Sequence, residues 1–135
     1  MLKGLLPVAV GNLLDLAPIY LTLIAIAAVI GHLFPVFFQF RGGKGVATAL
    51  GAVIGAAPGL GLLALTTWLV VCLVTRISSL SALTTFVLVP VYFLIQGQPT
   101  LAGGFLIIAS LLFYTHRANI QRLIKREEPR LDSKT

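Results

Sequence analysis

The sequence predicts an all-α protein: a polytopic membrane helix bundle of about six transmembrane helices with a short, basic C-terminal tail. Three observations carry that expectation. Hydrophobic residues make up 58% of the chain and charged residues only 10%, against about a quarter charged in a soluble domain. Residues 16–40, 46–75 and 77–115 contain no Asp, Glu, Lys or Arg. Each stretch is long enough for one or two passes at about 20 residues per pass. The ten Lys and Arg residues collect at the ends of these stretches, as the positive-inside rule requires of a membrane protein. The chain is read as a single membrane domain, residues 1–135.

Charge orders the passes. Residues 1–14 form a partial first helix rising from Lys3 to Asp15, only ~18 Å long if helical. Residues 16–38 return to the cationic side. The stretch 46–75 would be ~45 Å long as one helix, too long for a hydrocarbon core. Pro58-Gly59 breaks it into a hairpin of two short helices and brings Arg76 back to the starting face. Residues 77–95 and 101–114 make two further crossings around a Gln96-Gly97-Gln98-Pro99 turn. The tail, 116–135, then joins the same face, and all ten cations share one side, expected to be cytoplasmic. Gly51, Gly55 and Gly59 recur every fourth residue, a spacing that lets helix backbones approach closely.

Several function classes drop out. The net charge of +6 is explained by topology, so nucleic acid is not an expected partner. The lone Cys72 supports neither a disulfide framework nor a cysteine metal cluster. Gly43-Lys44 is followed by Gly45 rather than Ser or Thr, so the loop is not a nucleotide-hydrolysing P-loop. No small-residue cleavage site follows the short apolar run after Lys3, so a cleavable signal peptide is not expected.

One segment is not explained by packing. Arg41, Gly42, Gly43, Lys44 and Gly45 place two cations and three glycines between two apolar stretches. Backbone N–H groups freed by glycine, the start of the next helix and fixed positive charge suit an anion at a membrane surface. A basic, glycine-containing loop is also common at cytoplasmic surfaces without a ligand. His32 lies about two turns below and is an ionisable group at depth, or a neutral histidine bonded to a carbonyl released by Pro35. Ser78, Ser79 and Ser81 open a helix, where serine ordinarily caps free N–H groups and could instead help hold a phosphate oxygen. His116 and Asn119 share one helical face at the end of the last crossing. Beyond them, Ile120, Leu123 and Ile124 oppose Arg122, Lys125 and Arg126, which predicts a tail lying on the membrane surface.

The order and spacing of these segments resemble the bacterial acyl-phosphate-dependent glycerol-3-phosphate acyltransferase family along essentially the whole chain. The residues that carry the resemblance run from Gly31-His32 through Phe34-Pro35-Val36-Phe37-Phe38, then Phe40-Arg41-Gly42-Gly43-Lys44-Gly45-Val46-Ala47-Thr48. Ser78-Ser79-Leu80 follows, and last His116-Arg117, Asn119-Ile120 and Arg122-Leu123. The resemblance implies a multi-pass enzyme of the bacterial cytoplasmic (inner) membrane with its active-site loops facing the cytoplasm. It implies acyl transfer from acyl phosphate to glycerol 3-phosphate, giving lysophosphatidic acid and phosphate in phospholipid synthesis, with no metal or other cofactor and with membrane lipid as its surroundings. By similarity Arg41, Gly42, Gly43, Lys44, Gly45, Ser78 and Ser79 hold phosphate. His116 and Asn119 bind glycerol 3-phosphate, Lys44 and His116 are the catalytic pair, and His32 and Thr48 shape the site.

The family also carries another helix and a serine- and arginine-bearing loop ahead of the position that Leu2 occupies here. The expectation is therefore that these 135 residues alone are impaired. Two other readings remain open at this point. One is a non-catalytic truncated membrane fragment. The other is an anion transporter gated by the 41–45 loop, which the lack of a duplicated half disfavours.

Overall fold

The computed structural model describes residues 1–34 and 43–132. Among them every regular element is an α-helix: α1 (Leu2–Leu13), α2 (Pro18–Leu33), α3 (Val46–Ala56), α4 (Pro58–Thr75), α5 (Ser78–Ile95), α6 (Pro99–Thr115) and α7 (Arg117–Ile124). The all-α expectation is met. Proline does most of the punctuation. Pro18, Pro58 and Pro99 each stand in the first turn of their helices, where the missing N–H has no partner to lose. Ala57 is extended, with φ −151° and ψ 93°, so α3 stops one residue before α4 begins. Arg76 takes φ 58° in the left-handed region, which ends α4 and turns the chain into α5.

The expected hairpin over 46–75 is present, but its arms are unequal. The second arm, α4, has 18 residues and α3 only 11. Short α3 is an interior helix rather than a lipid-facing one: eight of its residues, from Thr48 to Ala56, are buried. It runs parallel to α1 at near-backbone contact. A Cβ on Gly51 would strike the Met1 carbonyl oxygen, and one on Gly4 the Thr48 carbonyl oxygen. Gly55 lies within 2.8 Å of Leu5 and Ala9 backbone atoms by the same measure. At the far end Asn12 Nδ2 donates to the carbonyls of Gly55 and Ala56, both at 3.2 Å. The small-residue stripe thus serves α1–α3 packing through Gly51 and Gly55. Gly59 falls on α4 with open space around it.

Helices α4 and α5 are long and apolar enough to cross a membrane, and α6 with α7, bent by 66°, would make a third span. The remaining apolar helices α1, α2 and α3 are shorter. Phe93 of α5 stacks on Phe105 of α6, ring centroids 4.9 Å apart. Gly104 admits Thr22 of α2 against α6. Hydroxyls inside the bundle are satisfied locally: Ser81 and Thr85 donate to the carbonyls four residues back, each at 2.8 Å. Thr67 and Tyr92 pair across α4 and α5 at 2.9 Å. Among the described residues no buried side-chain N or O lacks a partner, as an apolar solvent demands. Outward-facing Leu23, Leu73, Val74, Val87, Leu94 and Leu106 are exposed, the surface expected against lipid.

This topology brings the start of α3, the α4–α5 junction, the α6–α7 junction and the tail to one end of the bundle. The described Lys and Arg residues lie at that end, and Asp15 lies at the other.

Candidate functional site

A cavity of about 620 Å³ opens at the cationic end. Its polar wall comprises Lys44, Ser78, Ser79, His116, Asn119, Arg122, Glu128 and Arg130, and its apolar floor includes Val46, Leu50, Leu65, Trp68 and Ala82. Five of the residues singled out from the sequence, Lys44, Ser78, Ser79, His116 and Asn119, are therefore neighbours of one space despite their separation along the chain. Arg41 and Gly42 lie outside the described residues, as do Pro35, Phe37, Phe38 and Phe40.

Each wall has a local reason for its position. Gly45 caps α3 with φ +87°, and a Cβ there would also come within 2.9 Å of Leu33 Cδ2. Only glycine meets both conditions without cost. With Gly45 so placed, Val46 and Ala47 bring the first turn of α3 to the cavity, and among the described residues no side chain caps its N–H groups. Lys44 is tied to α6 from the other side, where Thr115 Oγ1 donates to its carbonyl at 3.1 Å. Gly43 packs against His32, whose Nε2 would meet a Cβ at 2.8 Å.

The first turn of α5 is also without a side-chain cap. The capping expected of its serines does not occur. Ser81 bonds back to the Ile77 carbonyl at 2.8 Å, and Ser79 points across the cavity wall to Glu128 at 2.5 Å. Two helix N-termini that carry no side-chain N-cap bond among the described residues thus turn their positive dipole ends to one space that also holds Lys44.

His116 joins α6 to α7 and is 2% exposed. Its Nδ1 lies 2.8 Å from the Leu112 carbonyl. A carbonyl only accepts, so Nδ1 carries the proton and Nε2 is left as the acceptor facing the cavity. Burial holds its pKa below the ordinary 6.5, with the charge of Lys44 acting in the same sense, while the Leu112 carbonyl and Glu128 oppose the shift. The ring is neutral at physiological pH.

Asn119, one turn on, is 4% exposed and donates through Nδ2 to Glu128 at 2.5 Å. Arg122 Nε reaches the other Glu128 oxygen at 2.7 Å. Burial alone would raise the carboxyl's pKa, but the bonds from Ser79, Asn119 and Arg122, with the Arg122 charge, outweigh it and hold it below the ordinary value. Glu128 is the residue that sequence reasoning missed. Its signal was an acidic pair followed by proline inside an otherwise basic tail. Arg122 was read as part of the polar face of a surface-lying tail; it pairs with Glu128 at the cavity wall instead, so only part of the tail remains free to lie on a surface.

The other candidates stand apart from this cavity. Thr48 is 1% exposed and is packed beneath α1. A second cavity of about 580 Å³, lined by Leu33, Phe34, Gly43, Lys44, Tyr114, Thr115 and Arg117, adjoins the first through Lys44. There Arg117 lies over the Tyr114 ring at 4.7 Å.

Comparison with known proteins decides what this arrangement is built from. Residues 1–126 match the family described as glycerol-3-phosphate acyltransferase. The chain belongs to that family. A glycerol-3-phosphate acyltransferase of Thioalkalivibrio sulfidiphilus is 51% identical over 100% of this chain and 67% of the relative. One from Methylococcus capsulatus is 50% identical over 98% of this chain and 67% of its own length. A crystal structure of the integral membrane glycerol 3-phosphate acyltransferase PlsY, in its glycerol 3-phosphate form, superposes with a TM-score of 0.91 at 36% identity. That match covers 96% of this chain and 66% of the other, and the lysophosphatidic acid form gives 0.90. The chain spans about two thirds of the length of these relatives. An integral membrane fold of the acyltransferase type is thereby established for it.

Proposed function

We propose that the cavity at the cationic end is an acyl-transfer site that takes acyl phosphate as donor and glycerol 3-phosphate as acceptor, releasing lysophosphatidic acid and phosphate. One observation carries this reading. A lysine, two uncapped helix N-termini, a neutral histidine and a buried asparagine converge on one space whose floor is apolar. That combination suits a ligand with an anionic head and a hydrocarbon tail, and the glycerol 3-phosphate and lysophosphatidic acid of the two PlsY crystal forms share that phosphate chemistry, the second with an acyl chain.

In this reading Lys44, the 43–45 backbone and the first turn of α3 hold the phosphate of the donor. Arg41 and Gly42 are proposed to extend the same cradle. Ser78 and Ser79 with the first turn of α5 face the phosphate from the opposite wall, and the acyl chain follows Leu50, Leu65 and Trp68 toward the membrane. His116 and Asn119 orient the acceptor. The acceptor hydroxyl oxygen attacks the acyl carbonyl carbon, the new C–O ester bond forms, and the bond from that carbon to the phosphate oxygen breaks. Lys44 and the helix ends stabilise the charge gathering on the departing phosphate. The hydroxyl proton passes to His116 Nε2 or to a substrate phosphate, and the pH profile distinguishes these routes. Residue chemistry requires no acyl-enzyme intermediate. The cationic end is assigned to the cytoplasm of a bacterial inner membrane on the positive-inside rule.

The test is Lys44→Ala in protein reconstituted into nanodiscs. Binding of dodecyl phosphate, a mimic of the donor, and lysophosphatidic acid formation from palmitoyl phosphate should both be lost, while membrane insertion stays intact. Retention of both would remove Lys44 from the site, and turnover with acyl-CoA in place of palmitoyl phosphate would remove the proposed donor.

A further inference from the structure

The apolar part of the cavity has a floor, and three helices set its depth. Val46 and Leu50 of α3, Leu65 and Trp68 of α4 and Ala82 of α5 wall this part. One turn deeper, on the same helix faces as Leu50, Leu65 and Ala82, stand Ile54, Gly61 and Phe86. None of these three belongs to the wall. Gly61 is pressed onto Ile54 across the α3–α4 hairpin: a Cβ there would come within 2.5 Å of Ile54 Cα and Cγ1. Phe86 is 1% exposed and belongs to the packed core. Close packing thus shuts the space directly beneath Leu50, Leu65 and Ala82.

Depth decides what can enter. Leu50 and Ala82 each lie four residues past Val46 and Ser78, the first residues of α3 and α5, which is about 6 Å of helix. The packed layer at Ile54 and Phe86 lies about 12 Å down by the same rise. A straight hexadecyl chain, anchored by its phosphate at these helix starts, is longer than that. The layer does not yield cheaply, because Gly61 meets the backbone of α3 at Ile54 and a close-packed core resists added volume. We infer that the slot between α3, α4 and α5 is a subsite for the carbonyl-proximal carbons of the donor's acyl chain, and that Leu50, Leu65 and Ala82 select the donor by its shape there. The remaining carbons lie outside the slot, in lipid, so chain length beyond the slot is not read. The inference rests on the acyl-transfer reading of the cavity. The substrate class it names is acyl phosphates with a straight, unbranched start and any length greater than the slot.

The experiment is photo-crosslinking of the chain in phosphatidylcholine nanodiscs with two hexadecyl phosphates. One carries a diazirine on its third carbon and the other on its fifteenth, and mass spectrometry reads the labelled residues. The third-carbon probe should label Leu50, Leu65, Trp68 or Ala82, and excess plain hexadecyl phosphate should suppress that label at least tenfold. The fifteenth-carbon probe should put no competed label on these residues. Ala82→Leu, which fills the slot, should weaken decyl, dodecyl and hexadecyl phosphate by one common factor, about tenfold at equal content in the bilayer. Competed labelling of the slot by the fifteenth-carbon probe, or an Ala82→Leu loss confined to the longest chain, would mean that the slot takes the whole chain and would overturn the inference. If the third-carbon probe leaves the slot unlabelled while Lys44→Ala still abolishes hexadecyl phosphate binding, the phosphate cradle stands and the subsite is refuted. If the parent binds neither probe, the acyl-transfer reading fails and takes the inference with it.

Discussion

At the scale of single residues, Glu128 and His116 show how burial sets chemistry. Glu128 is an acceptor shared by three donors from two helices, with its side chain 6% exposed. Glu128→Ala should leave the Ser79 hydroxyl and the Asn119 amide without an acceptor at a cost of about 1–3 kcal/mol. Thermal unfolding in detergent measures it, and exposed Glu127→Ala should stay within about 0.5 kcal/mol of the parent. The burial of His116 has a different consequence. Its pKa lies below 6.5, so the neutral form that can accept a hydrogen bond from a substrate hydroxyl is present at neutral pH. Acyl transfer should therefore hold steady near pH 7 and fall as pH drops through a value below 6.5. If His116 takes the proton, His116→Asn abolishes that acid limb along with most of the rate; if a substrate phosphate takes it, a limb survives in the residual activity.

At the scale of elements, the α1–α3 pair is the most demanding contact in the bundle. On Gly4 and Gly51 an added Cβ collides with backbone atoms of the opposite helix, which cannot rotate away as a side chain can. Gly51→Ala should cost about 1–3 kcal/mol by overpacking. Gly103→Ala on α6, where nothing lies within 4 Å, should be neutral or stabilise by up to about 1 kcal/mol through helix propensity. Equal losses at both positions, measured by thermal unfolding, would refute the close-contact account. The elements themselves were legible in the sequence because their signals are local: a proline opens α2, α4 and α6, and charges mark the bundle's ends. The packing role of the glycine stripe was legible too, although its partner was not. Convergence of the site was only partly readable. Nothing within the tail reveals that Glu128 meets Ser79, 49 residues away, or that Leu131 bonds to Arg76. A basic tail with an apolar stripe reads as lying on a membrane surface, and only the folded arrangement shows Arg122 paired with Glu128.

At the scale of the whole molecule, the tail closes the cationic end that the helices leave open, and two carboxylates hold it there. Both Glu128 and Asp132 have their pKa values held down, Asp132 chiefly by its bond to Arg76. For a carboxylate lowered on folding, the stabilisation is fully present above its unfolded value and is lost as pH falls through the folded one. The closure should then be intact at neutral pH and released in acid, below the ordinary 4.5 of Glu128. The rest of the bundle holds no comparable carboxylate in its core among the described residues, since Asp15 sits exposed at the opposite end. The helices should therefore survive the release. The single tryptophan of the chain, Trp68, lines the same cavity as Pro129 and Leu131, so its emission reports whether the wall is in place. Acidification from pH 7 to 3 should shift that emission in one reversible step with its midpoint below 4.5, while far-ultraviolet circular dichroism stays helical. Glu128→Ala should show the acid-form emission already at pH 7 and lose the step, whereas Asp132→Asn should keep it, because the exposed Arg76–Asp132 pair contributes little on its own. A step that persists unchanged in Glu128→Ala, or one that coincides with loss of helix, would mean that Glu128 is not what closes this end of the molecule.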